Sequence, residues 1–214
     1  MLCSRFFIHN NNIGGLTMEK KIGFNRFMGR LVHHMLASEL LKVKRAYIHS
    51  KIGHDYKAKR RRDGTRASDH PRMAAIIAID ELGIKEWMLI VAILLHDIRE
   101  DSYLLDEELI ILIFGRIVAR WVKLLTKKNK KIYHKLLAEC GIWQVLLVKL
   151  CDRLHNLRTL PPNDPVFIQK QIKETRKYFF DFADTLIALL PRKNKWRGEY
   201  LKEQIQKICD QYPT

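Results

Sequence analysis

A chain of 214 residues fits one domain with or without tails, and with 47% hydrophobic and 29% charged residues it can bury a core, which excludes wholesale disorder. Its 10 glycines and 6 prolines are too few for the many turns of a β-sandwich or barrel, so the composition points to helices. A net charge of +16 calls for a polyanionic partner: nucleic acid, an acidic membrane or a phosphate-rich small molecule.

Residues 1–17 read as a tail, with Asn10-Asn11-Asn12 and Gly14-Gly15 in it, and Met18 offers a second start after Met1. A helix is expected over residues 18–46, with Phe24, Phe27, Met28, Leu31, Met35 and Leu36 on an apolar stripe that serves as a core or dimer face. From Lys42 to Arg66 the chain is crowded with charge, and Lys59-Arg60-Arg61-Arg62-Asp63-Gly64 closes on a turn signal. Asp69-His70-Pro71 opens the next helix, whose apolar face is built from Met73, Ala74, Ile76, Ile77 and Ile79 and which Gly83 stops.

A helix from about Lys85 to Arg99 is apolar almost all round and should be central and buried. Its unbroken apolar run, Trp87 to Leu95, falls far short of the ~20 residues a membrane span needs, so no membrane helix is expected. A third helix begins near Asp106-Glu107-Glu108 and continues to about Leu125, followed by a lysine-rich loop, Lys123 to Lys135. The helix from Trp143 to about Leu157 ends before Pro161-Pro162, and two more, about Asp164–Leu190 and Trp196–Gln211, complete an all-α fold. Cys3, Cys140, Cys151 and Cys209 form no CxxC pair, which fits a reduced, cytoplasmic setting.

The chemistry-bearing residues are His70, the pair His96-Asp97, and Asp152. Two imidazoles and two carboxylates make a mixed N/O donor set suited to Mn²⁺, Fe²⁺ or Zn²⁺ and unlike a structural thiolate site. Alone, His96-Asp97 reads first as the ordinary polar end of a helix. Asp152, Asn156 and Thr159 fall on one helical face, offering a carboxylate, an amide and a hydroxyl to one site. Glu100 and Asp101 follow Asp97 and suit proton transfer to and from water, although a solvated acidic turn accounts for them as well.

In order, His70-Pro71, His96-Asp97-Ile98-Arg99-Glu100-Asp101 and the segment Lys149 to Leu160 resemble the HD hydrolase domain of RelA/SpoT-type alarmone enzymes. Arg61-Arg62-Asp63-Gly64 is similar to that family's RKSG element, and Phe114-Gly115-Arg116-Ile117-Val118-Ala119 to its FGxxVA stretch. Ala67 and Arg99 depart from the pattern, and past Leu190 the likeness fades.

The resemblance implies an all-α HD-domain phosphohydrolase over residues 47–190 without a synthetase domain, and the helix read beyond it makes residues 191–214 a C-terminal helix. It implies hydrolysis of the 3′-diphosphate of guanosine tetra- or pentaphosphate with Mn²⁺. His70, His96, Asp97 and Asp152 would then hold the metal, Glu100 and Asp101 would be the catalytic acids, and Arg61, Arg62, Asn156 and Thr159 would bind the nucleotide. Two other readings stand beside it: an HD phosphohydrolase for another phosphorylated nucleotide, and a non-catalytic nucleotide- or RNA-binding module using the basic segments.

Overall fold

The computed structural model describes residues 22–55, 60–102, 105–127, 129 and 132–212, the Asp101 side chain excepted. Among the described residues there are α-helices and short helical turns but no strand, in agreement with the all-α expectation. The predicted tail, residues 1–17, lies outside them.

The helix expected over 18–46 is instead two elements, α1 (Phe24–Gly29) and the start of α2 (Ala37–Asp55). The cause is local. Glu39 Oε2 accepts the Leu36 N–H at 2.9 Å, the back-bonding half of a capping box, so a new helix starts at Ala37. The periodic stripe persists through the break because Phe27 and Leu31, both fully buried, join the common core, whereas Leu36 is 71% exposed. The stripe is therefore core, and the boundary expected at residue 46 falls inside α2.

Helix α3 (Asp69–Ile76) runs into a π-turn, Ile77–Glu81, where the Leu82 N–H bonds five residues back to the Ile77 carbonyl. Gly83, at φ 64°, ends it as expected. The apolar helix α4 (Trp87–Leu95) buries every residue from Leu89 to Leu95. It is shorter than predicted: Asp97, at φ −117° and ψ 4°, separates it from the single turn α5 (Ile98–Asp101). The long helix expected from Asp106 to Leu125 is also divided, into α6 (Glu107–Phe114) and α7 (Arg116–Leu125). Gly115 stands between them at φ 91°, a conformation that side chains with a Cβ rarely adopt. Asp106 caps α6 by accepting the Leu109 N–H at 2.8 Å.

The lysine-rich segment is not all loop. Its end begins α8 (Tyr133–Glu139), pinned by the buried pair Tyr133 and Leu137 at i, i+4, while Lys128, Lys130 and Lys131 lie outside the described residues. Then come α9 (Trp143–Arg158), α10 (Pro165–Leu189) and α11 (Lys195–Cys209), close to their predicted spans. Asp164 and Pro165 give α10 its cap and first position.

Helix α4 packs against α2, α3, α7 and α9, and α9 in turn against α3, α8, α10 and α11. The start of α3, the end of α4 and the second half of α9 therefore meet inside one core, which Phe27 and Leu31 enter from one end of the chain and Leu201 and Cys209 from the other. Burying each large aliphatic side chain of α4 contributes roughly 1.5–3 kcal/mol, enough to hold polar residues at its end in a fixed place. No helix among the described residues is long and apolar enough to cross a membrane.

Candidate active site

His70 is on the first turn of α3, His96 follows α4, and Asp152 lies in the second half of α9; all three are buried. His70 Nε2 is 2.9 Å and His96 Nε2 3.6 Å from Asp152 Oδ1. One donor atom from each lies within 4.8 Å of the others. Ligands at 2.0–2.2 Å from one ion stand about 3–4 Å apart, so this spacing and donor set fit a divalent transition metal. His96 Nδ1–H donates to the Ile93 carbonyl at 2.8 Å, which fixes the ring with Nε2 toward the cluster, the atom that offers a lone pair when the ring is neutral.

Asp97 stands at the edge of this triad. Its Oδ2 is 3.5 Å from His96 Nε2, and its Oδ1 is 3.1 Å from His54 Nε2. His54 was not singled out in the sequence; it is the penultimate residue of α2 and its side chain is fully buried. Gly53 makes its position possible, because a Cβ there would collide with the Ile98 side chain of α5 and lie 3.3 Å from Ser102.

Electrostatics follow from the packing. Burial opposes the charge on Asp152, but Lys149 Nζ at 2.7 Å and His96 outweigh it and hold the carboxyl well below its ordinary range. Burial likewise opposes charge on Asp97, and His96 and His54 reverse that, so this carboxyl is also depressed. His70 is pushed down to about 4, by burial first and by the Arg61 charge second. His96 is raised, the carboxylates of Asp97 and Asp152 overcoming its burial. The cluster thus carries two ionised carboxylates and a neutral His70, while His96, favoured in its protonated form by those carboxylates, must release that proton as a cation binds.

Beside the cluster lies a cleft of about 320 Å³ lined by Arg61, Arg62, Asp63, Asn156, Thr159, Pro161, Phe167 and Gln171. The expected nucleotide-binding set, Arg61, Arg62, Asn156 and Thr159, is therefore together in one wall. The basic turn is shaped by Arg61 N–H donating to the Thr65 carbonyl at 2.9 Å and by Gly64 at φ 81°. Arg61 Nη2 donates to Asn156 Oδ1 at 2.6 Å, and Asn156 Nδ2 donates to Asp152 Oδ1 at 2.6 Å, so the cleft and the cluster share a hydrogen-bonded chain. Arg62 lies over the Phe167 ring at 4.6 Å and pairs with Asp164 at 2.6 Å.

Glu100 is exposed, and its Oε1 accepts the Lys127 backbone N–H at 2.7 Å. The Asp101 side chain lies outside the described residues. Arg99, the departure inside the acidic segment, reaches Glu107 at 3.5 Å. Two further site residues were missed, Lys149 against Asp152 and His155 against His70. The signal for both was their i−3 and i+3 spacing from Asp152, which places them beside it on α9.

Fold and site together define an all-α domain of the HD type, built around a histidine–aspartate cluster able to hold a metal ion. No family model matches the chain. It is similar to the mouse guanosine-3′,5′-bis(diphosphate) 3′-pyrophosphohydrolase MESH1, at 33% identity over 160 residues, covering 70% of this chain and 86% of that protein. The human protein of the same name is 33% identical over 157 residues, covering 69% of this chain and 84% of that one. A Myxococcus xanthus GTP pyrophosphokinase is 29% identical over 79% of this chain, which spans only 22% of that longer protein. A solved metazoan ortholog of SpoT shares the fold, with a TM-score of 0.56, 24% identity, and coverage of 79% of this chain and 94% of that one. The chain belongs to the guanosine-3′,5′-bis(diphosphate) 3′-pyrophosphohydrolase family.

Proposed function

We propose that this protein is a cytoplasmic, Mn²⁺-dependent hydrolase, with residues 47–190 as its catalytic part. It would remove the 3′-diphosphate of guanosine tetra- or pentaphosphate as pyrophosphate, leaving GDP or GTP. The observation that carries the reading is the continuity of the buried His70–His96–Asp152 cluster with the arginine-lined cleft through Asn156. The name of the mouse relative specifies that chemistry for that protein, and the free thiols of Cys140, Cys151 and Cys209 fit a reducing compartment.

In this reading His70, His96, Asp97 and Asp152 hold the ion. Once bound, it supplies Lewis acidity and lowers the pKa of water. Arg61 takes a phosphate of the nucleotide through charge-assisted hydrogen bonds, and Asn156 fixes the angle of that guanidinium. Phe167 and Pro161 give the base an apolar wall, while Arg62 and Thr159 close the cleft around the ribose and phosphates. The oxygen of water adds to the phosphorus next to the ribose, and the bond from that phosphorus to the 3′ oxygen breaks. Glu100, held at Oε1 by the Lys127 N–H, takes the proton from water and returns it to the departing 3′ oxygen, with Asp101 as the second acid of the pair. The excess basic charge gathers a highly anionic substrate.

The test is steady-state pyrophosphate release with Mn²⁺ from guanosine tetraphosphate beside GTP, which lacks a 3′-diphosphate. Turnover of the first alone, abolished by EDTA, supports the reading. Equal turnover of both, or none by folded, metal-loaded protein, rejects it.

A further inference from the structure

Behind His70 stands a second buried imidazole. His70 Nδ1 and His155 Nδ1 are 2.7 Å apart, the ring centroids are 4.8 Å apart, and both residues are almost fully buried. A contact that short between two ring nitrogens requires one proton shared between them, since two lone pairs repel and two N–H groups collide. The other nitrogen of His70, Nε2, faces Asp152 Oδ1 at 2.9 Å.

Two states follow. With a cation at Nε2, that atom must present a lone pair, so the His70 proton sits on Nδ1 and His155 Nδ1 accepts it. Without a cation, Nε2–H donates to Asp152, Nδ1 carries the lone pair, and His155 Nδ1–H donates to it. Both rings stay neutral in both states; only their tautomers exchange. The partner of His70 must therefore accept in one state and donate in the other from the same place, which a carbonyl or an ammonium cannot do. His96 is backed differently, by the Ile93 carbonyl at 2.8 Å, a fixed acceptor that permits one tautomer only.

We propose that His155 is a positioning residue for metal binding, a tautomer-exchanging partner that sets the lone pair of His70 toward the ion. The proposal rests on the reading of His70, His96 and Asp152 as the metal site.

The experiment is Mn²⁺ binding to the purified full chain, read from the electron paramagnetic resonance of the free ion, with His155→Asn and His155→Leu. Asparagine places an amide oxygen or nitrogen where His155 has Nδ1, and leucine places a methyl there. We expect His155→Leu to weaken Mn²⁺ binding by roughly 10–100-fold, the usual cost of removing a group that orients a ligand, and His155→Asn to stay close to wild type. Undiminished binding by the leucine variant, or equal loss in both, overturns the proposal. Should the leucine variant fail to fold, nitrogen-15 NMR of the wild-type chain with Zn²⁺ as a diamagnetic probe decides. A proton on His70 Nδ1 and on His155 Nε2 supports the assignment, and a proton on His155 Nδ1 in the loaded protein overturns it. Binding is read without nucleotide, so a chain whose Mn²⁺ affinity depends on His155 yet which leaves guanosine tetraphosphate intact rejects the substrate and keeps this inference.

Discussion

Replacing Asp152 with asparagine removes the one carboxylate on which Lys149, His70 and Asn156 converge, at 2.7, 2.9 and 2.6 Å. The Lys149–Asp152 attraction at 2.7 Å is worth about 6 kcal/mol before desolvation at an effective dielectric of ~20. The two side chains are only 16% and 6% exposed, so much of that offsets the cost of taking both charges out of water. Removing one partner strands the other, and such losses run about 3–5 kcal/mol. Asparagine retains one acceptor, which places the expected loss near the lower figure.

The assay is urea unfolding in EDTA of wild type, Asp152→Asn, Lys149→Met and the double variant. The single carboxylate change should cost about 3 kcal/mol, and the cycle should show a coupling of about 2 kcal/mol, because methionine removes the stranded cation. A coupling below about 0.5 kcal/mol would mean that Lys149 and Asp152 do not stabilise one another, since separated groups add to within that margin.

Glu100→Gln should lower kcat by roughly 10²–10⁴-fold, the range for loss of a general acid–base group, while Mn²⁺ affinity stays at the wild-type value; a matching loss of metal would make Glu100 a ligand instead. Arg61→Ala should raise KM by roughly 10–100-fold with a much smaller change in kcat, from loss of charge-assisted bonds worth about 1.5–3 kcal/mol, and an unchanged KM would remove Arg61 from the nucleotide site. The pH dependence of the metal-free protein has a definite sign. His70, depressed from 6.5 to about 4, stabilises the fold fully above pH 6.5 and loses that contribution as pH falls toward about 4. His155, depressed by burial first and by His70 second, acts in the same direction. His96 is raised, so it contributes below pH 6.5 and loses its contribution as pH climbs through its folded value. The urea midpoint should fall from pH 6.5 to 4, and His70→Asn should flatten that slope; an unaltered slope would contradict the assignment.

Much of the site was legible because its residues sit at helix ends and on one helix face. Asp152 and Asn156 follow from helical spacing, with Thr159 just past them at the C-terminal cap of α9, and His96-Asp97 stands out as the polar end of an apolar run. What stayed hidden came from long-range packing. His54 reaches Asp97 only because Gly53 lets α2 approach α5 closely, a contact across more than forty residues that no periodicity encodes. The breaks were hidden for a different reason. Gly115 divides α6 from α7 through a positive φ, and Glu39 restarts α2 through one side-chain cap, while the apolar pattern runs on across both. Helix α8 was masked by its lysine-rich lead-in, since two buried residues, Tyr133 and Leu137, suffice to dock it.

Phosphorus-31 NMR of guanosine tetraphosphate with the Mn²⁺-loaded protein, quenched with EDTA at intervals, reads whether this cluster releases the 3′-diphosphate intact. One growing pyrophosphate resonance, matched by those of GDP, should appear with wild type, and an unchanged substrate spectrum with Asp97→Ala. Orthophosphate as the first product, or pyrophosphate formed equally well by Asp97→Ala, would rule out hydrolysis of the intact 3′-diphosphate at this cluster.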